Sequence, residues 1–98
     1  MRYIRNVDFN VKSGKSPEFV RIFKDDVLPV LKQQPGFEHE LAMSNGTHAI
    51  GISVWKDQAS AQSYQTKVYP EILKKLTPLL DGAPSVKEFE LAATTLSI

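Results

Sequence analysis

Few side chains in this chain are equipped for chemistry, and their spacing limits what they can do. The two histidines, His39 and His48, fall on one face of an expected hairpin, four residues apart along the ladder. At about 3.3 Å per residue that is about 13 Å, too far to share one metal ion. No HExxH, CxxC or i, i+4 histidine pair occurs, so no metal is expected. His39 stands mid-strand between Phe37 and Leu41, on the parity expected to face the helices. An imidazole there is either a core-edge side chain or a titratable pocket group able to act as acid or base. Arg5 is the odd member of the parity Tyr3, Arg5, Val7, Phe9, Val11. A guanidinium on an apolar parity must reach the rim or find a partner. A sheet–helix gap lined by Arg5, Phe23, His39 and Tyr64 has the make-up of a small-molecule pocket, mostly apolar with a few polar groups. His39, Tyr64 and Arg5 are then the candidate catalytic groups, with Phe23, Trp55 and Tyr69 as lining residues. The competing reading is that these side chains only fill the core. Asp25-Asp26 and Lys74-Lys75 are adjacent helical residues, which do not face each other, and read as solvated. No GxSxG elbow or phosphate-cradling glycine loop is present.

These residues need elements to position them. Residues 2–12 alternate apolar and polar with the period of a half-buried strand, and Ser13-Gly14-Lys15 breaks it. Ser16 as N-cap and Pro17 at the first position predict a helix whose stripe is Phe19, Phe23, Val27 and Val30 or Leu31. Pro29 removes a backbone donor and is expected to kink that helix near Asp25. Pro35-Gly36 stops it.

Residues 37–44 predict a second strand with Phe37, His39, Leu41 and Met43 on one face. Asn45-Gly46 signals a hairpin into a third strand, Thr47 to Trp55. A two-residue turn pairs Met43 with His48, Leu41 with Ile50, His39 with Ile52 and Phe37 with Val54, collecting the apolar side chains toward the helices. The small residues Ala42, Ala49, Gly51 and Ser53 are left for the bare face, where a second sheet could approach closely. Asp57 caps a second helix that Pro70 restarts, and a last strand runs from Ser85 to about Leu96.

The order βαββαβ predicts an α+β, ferredoxin-like fold: an antiparallel four-stranded sheet with helices on one face, as a single domain over residues 1–98. At this length the core is modest, burying ~60–68% of the unfolded surface. The hydrophobic content is 42% and the formal net charge +1, which excludes disorder and gives no electrostatic reason to bind nucleic acid. With no cysteine there is no disulfide framework. No stretch approaches the ~20 apolar residues of a membrane span, and no apolar leader follows the first residues. The expectation is a cytoplasmic protein with no membrane partner.

The plan, the Pro35-Gly36-Phe37 entry into the second strand and Val54-Trp55-Lys56-Asp57 leading into the second helix resemble the antibiotic biosynthesis monooxygenase (ABM) family of the dimeric α+β barrel superfamily. The resemblance implies a homodimer with facing sheets, and a small cavity in each subunit between sheet and helices. Relatives include cofactor-free monooxygenases of polycyclic aromatic quinols, which deprotonate a phenolic substrate and let the carbanion meet oxygen using an Asn, a Trp, a Tyr and an Arg. Tyr64 is the candidate cavity aromatic here, and Arg5 the candidate Arg. Relatives also include haem-degrading enzymes that use an Asn, a Trp and a His ligand. Aligned without gaps, those positions fall on Val7, Tyr64 and Lys74. A lysine, protonated at neutral pH, is a poor iron ligand, so haem degradation is not expected and no cofactor is assigned.

Two functional readings follow. One is a cofactor-independent monooxygenase acting on a small aromatic or quinol compound. The alternative is a non-catalytic dimeric domain that binds or senses a small apolar or aromatic ligand.

Overall fold

The computed structural model describes residues 1–98. Four strands, β1 (Tyr3–Asn10), β2 (Phe37–Asn45), β3 (His48–Trp55) and β4 (Ser85–Glu90), form one antiparallel sheet in the order β2-β3-β1-β4. Helices α1 (Ser16–Ile22), α2 (Leu28–Lys32), α3 (Gln58–Lys67) and α4 (Tyr69–Leu76) supply the apolar cover. The ferredoxin-like α+β plan is therefore present.

Local chemistry explains most of the elements. Asp57 caps α3 by accepting the Ser60 backbone N–H at 2.8 Å. Ser16 does not cap α1. It is the first helical residue, and Lys15 precedes it without a side-chain cap bond. The kink expected near Asp25 is a π turn, Phe23–Val27, joining α1 to α2. The Leu28 N–H bonds back to the Phe23 carbonyl, five residues earlier. This wider turn absorbs the N–H missing at Pro29 without ending the helix. The last strand stops at Glu90, short of the expected Leu96.

The hairpin register and its faces differ from expectation. Met43 pairs with Ile50, Leu41 with Ile52 and His39 with Val54, because Asn45 pairs with His48 and the turn is Gly46-Thr47. Gly46, at φ +63°, thus takes the first central position, where a type II′ turn wants glycine. The pairing of β1 with β3 then decides the faces. Arg5, Val7 and Phe9 lie opposite Ser53, Gly51 and Ala49, and all six are buried on the side that the helices cover. Ala49 and Ser53 are 2% and 4% exposed. So the small residues line the helix side, and Leu41, Met43, Ile50 and Ile52 line the open side, the reverse of the sequence expectation. The physical reason is size. The helix side must hold Phe9, Phe19 and Phe23, with ring centroids 5.2 Å (Phe9–Phe19, edge-on) and 5.9 Å (Phe19–Phe23, tilted) apart. A side-chain carbon at Gly51 would already stand 3.5 Å from Phe23 and 3.7 Å from Phe9.

An irregularity in β2, between Phe37 and His39, shifts the register by one residue. Phe37 pairs with Trp55 and packs edge-on against it at 5.5 Å, on the core side. Beyond the bulge it is Glu40, paired with Ser53, that turns to the core side.

Candidate functional site

One row of the sheet is polar. Reading across β2, β3, β1 and β4, it runs Glu40, Ser53, Arg5, Glu88. Neighbouring strands are about 4.8 Å apart, so the backbones at Glu40 and Arg5 are about 10 Å apart, with only the small Ser53 between them. The row above is Ala42, Gly51, Val7 and Val86. Small central side chains in both rows leave a cavity under the helices, closed by Phe23, Val27, Tyr64 and Tyr69. Its enclosed space is about 20 Å³, room for one ordered water and not for an aromatic ring.

The charge in this cavity is unusual. Arg5 is 2% exposed. Its guanidinium carbon stands over the Tyr69 ring at 4.7 Å and the Tyr64 ring at 5.1 Å, so two aromatic faces replace part of its lost hydration. Nη2 donates to Gln65 Oε1, and Nε lies 4.0 Å from Glu88 Oε1, too long for a hydrogen bond. Trp55, fully buried, lies behind Tyr64 with ring centroids 4.9 Å apart and donates from Nε1 to Ser53 Oγ at 2.8 Å. That bond uses one acceptor site of the serine hydroxyl and leaves its own O–H to donate.

Three buried polar atoms have no hydrogen-bond partner: Arg5 Nε, Glu40 Oε2 and the Tyr69 hydroxyl. All three residues line this one cavity. Buried polar groups are satisfied in the great majority of cases, so three orphans around one space need a reason. Burial pushes the Glu40 carboxyl up to about 8, with Arg5 pulling the other way. Burial also raises the Tyr64 and Tyr69 hydroxyls, again opposed by Arg5. The set offers a cation, two aromatic faces, a hydroxyl and a carboxylate with no partner of its own. That can bind a polar head on a flat ring, and it can move a proton.

The expected site residues separate on this geometry. Arg5, Tyr64, Phe23 and Tyr69 come together in the cavity. Trp55 supports Tyr64 from behind. His39 does not join them. It is exposed, on the open side of the edge strand, opposite Val54. His48 also lies outside, with Nε2 2.9 Å from Asp8 Oδ1. Glu40, Ser53 and Gly51 line the cavity and were not foreseen from the sequence, because simple alternation along β2 and β3 assigned them to the bare face. The available signal was a mismatch of size. Small residues at 49, 51 and 53 complement the large helix residues at 19 and 23, and a buried Arg5 calls for an anion nearby.

Haem does not fit these residues. Val7 is a buried apolar side chain of the cavity wall, and Tyr64 is stacked beside Arg5. Lys74 is at the surface, 74% exposed, with Nζ 3.3 Å from Glu71 Oε1.

No curated protein matches the chain. Solved structures do. A protein of unknown function from Nitrosomonas europaea, NE2512, has a TM-score of 0.80 at 19% identity, covering 99% of this chain and 95% of that one. The ActVA-Orf6 monooxygenase of Streptomyces coelicolor, solved with nanaomycin D, has a TM-score of 0.80 at 17% identity, covering 98% and 92%. SnoaB, a cofactor-independent oxygenase from Streptomyces nogalater, has a TM-score of 0.80 at 17% identity, covering 96% of both chains. At these identities the likeness is one of fold. Residues 2–69 match the model of the family described as antibiotic biosynthesis monooxygenase. With most of its length matched in sequence and nearly all of it in fold, the chain belongs to the antibiotic biosynthesis monooxygenase family.

Proposed function

We propose that this protein is a cofactor-independent monooxygenase acting on a small phenolic or quinol compound bound beside Arg5. The observation that carries the reading is the convergence of three unpartnered polar atoms, from Arg5, Glu40 and Tyr69, on one cavity roofed by aromatic rings. Family membership and the two oxygenases of like fold support it. In the reaction, the substrate loses its hydroxyl proton and its ring becomes electron-rich enough to reduce O2. One oxygen atom enters the ring as a carbonyl, and the other leaves as water with the ring hydrogen and the hydroxyl proton. The substrate supplies all four electrons, so the balance closes without a cofactor. Arg5 Nε and the Tyr69 hydroxyl hold the oxyanion that forms, in a dry site where such contacts count most.

A ring needs more room than about 20 Å³. A surface groove of about 290 Å³ adjoins the cavity, and Phe23 and Glu40 line both spaces. The substrate enters through this groove and displaces the Phe23 ring. Phe23 heads the π turn, the kind of irregularity found at functional sites in helices.

The open sheet face supports a homodimer. Leu41, Met43 and Phe89 are 48%, 46% and 53% exposed there, and a second copy meeting sheet to sheet would cover them. The stable unit in this reading is two chains.

The test is oxygen uptake with a panel of hydroquinones, dihydroxynaphthalenes and anthrones. Uptake above the uncatalysed rate, falling at least tenfold in Arg5→Met and Tyr69→Phe variants that keep the wild-type circular dichroism, is the expected result. No uptake across the panel rejects the enzyme reading and leaves ligand binding without turnover.

A further inference from the structure

We propose that Glu40 is the catalytic residue that takes the hydroxyl proton of the bound phenol, an assignment that rests on the oxygenase reading above. Glu40 is the sole carboxylate lining the cavity. Its Oε2 is buried and has no partner, so one lone-pair edge is free to meet a donor brought by a ligand. The other polar lining groups serve different ends. Arg5 has only donors to offer, and the Ser53 and tyrosine hydroxyls are neutral and far weaker bases than a carboxylate. The seat for the carboxylate is made by Gly51, where even a methyl carbon would come within 3.1 Å of Glu40 Oε1. The seat also depends on the β2 bulge, which aims position 40 inward and position 39 outward.

The electrostatics of the transfer are favourable. The O–H bond breaks, its electron pair stays on the substrate oxygen, and the proton bonds to Oε2. Before transfer the cavity holds Glu40 carboxylate, neutral phenol and the Arg5 cation. After transfer it holds neutral Glu40, phenolate and the same cation. Net charge is unchanged, but the negative charge has moved from a poorly solvated carboxylate toward Arg5, where Nε waits unbonded. Burial lifts the carboxyl to about 8, which makes Glu40 a stronger base once ionised and confines the ionised form largely to pH about 8 and above. The groups facing Glu40 are Arg5 from β1, and Tyr64 and Tyr69 from α3 and α4. Lys24 and Lys32 border the surface grooves that Glu40 also lines, and Glu38 and His39 are its neighbours on the strand. The cations among them favour the ionised form, so the raised value comes from desolvation.

The experiment uses 2-naphthol, whose ultraviolet band moves to longer wavelength when it ionises, added to the whole protein at about pH 8.5, where Glu40 is mostly ionised and the free probe is still neutral. Binding to wild type is expected to shift the band, with little net proton released when the titration is repeated calorimetrically in buffers of different ionisation heat. Glu40→Gln, checked for folding by Trp55 fluorescence, binds the probe without the shift, or with it only on release of one proton to the buffer. Glu40→Asp restores part of the shift. A probe that stays neutral in wild type, ionises equally in Glu40→Gln or fails to bind overturns the assignment. Failure of this assignment is separable from failure of the oxygenase reading. Oxygen uptake that is unaffected by Glu40→Gln rejects Glu40 and keeps the oxygenase. Ionisation that depends on Glu40 in a protein that consumes no oxygen does the reverse.

Discussion

Replacing Glu40 by Gln should change how stability depends on pH, and the size of the effect follows from the cavity. The unfolded chain's carboxyl ionises near its ordinary 4.5, and in the folded protein burial moves that to about 8. The folded state therefore binds this proton more tightly. Stability on account of Glu40 is full below about pH 4.5, falls as the unfolded chain ionises between the two values, and levels off above about 8. At about 1.4 kcal/mol per pH unit the full span is about 4–5 kcal/mol. Glu40 keeps part of its surface in water, so about 3 kcal/mol is the working figure after solvent screening. Glutamine has the same shape and no charge to lose, so the variant lacks this decline. Groups common to both proteins cancel in the difference. Urea unfolding followed by the fluorescence of Trp55, at fixed protein concentration and pH 5 through 9, gives the comparison directly. The wild type should lose ground to the variant steadily with rising pH, shifting its relative midpoint by about 1–2 M urea. A difference that stays flat across that range would refute the burial of the Glu40 carboxyl beside Arg5.

Leu41→Glu, on the open face, should shift the proposed sheet-to-sheet dimer to monomer in light scattering while leaving the circular dichroism intact. A wild type that is already monomeric at micromolar concentration rejects the sheet-to-sheet assembly. Phe23→Ala should open the inner cavity to the adjoining groove and destabilise the fold by about 3–5 kcal/mol, read as a lower urea midpoint. It should also speed entry of 2-naphthol in stopped flow, and an unchanged entry rate rejects Phe23 as the wall that moves. Haem titrated into the protein should give no sharp Soret shift at an equimolar ratio, and such a shift overturns the poor fit of Val7, Tyr64 and Lys74 to a haem site.

The sequence disclosed the fold because its strongest signals are local. The alternation from Tyr3 to Val11, the Asp57 cap and a glycine turn at Gly46, one residue later than expected, each act within a few residues, and the β1 core parity appears as expected. Arg5 was legible for the same reason, as a charge on a buried parity. The faces of β2 and β3 were not legible, since both parities of β3 can be buried: one by helices, the other by a second sheet. Alternation says which residues go together and not which side they go to. Here side-chain size decides, and it must be judged against Phe9, Phe19 and Phe23 from other elements. The cavity was therefore half visible. Its β1 and helix residues could be read, and its β2 and β3 residues could not.

Two departures from regular structure meet at the mouth of this cavity, and together they decide its chemistry. On the helix side, the π turn begins at Phe23 and places that ring across the opening. On the sheet side, the bulge at Phe37–His39 lets both Phe37 and Glu40 face inward although they are three residues apart. In an unbroken strand, inward residues are two or four apart. With Phe37 held inward by Trp55, regular alternation would have carried His39, Leu41 and Met43 inward and left Glu40 in solvent. One extra residue in the edge strand therefore exchanges an imidazole for a carboxylate as the group opposite Arg5. The carboxylate is partly withdrawn from water, which raises its proton affinity, whereas burial would have lowered that of an imidazole. A histidine beside the Arg5 cation would have stayed neutral and donated or accepted weakly. A glutamate there, once ionised, readily takes a proton from a bound hydroxyl. The bulge thus sets which kind of base the cavity presents.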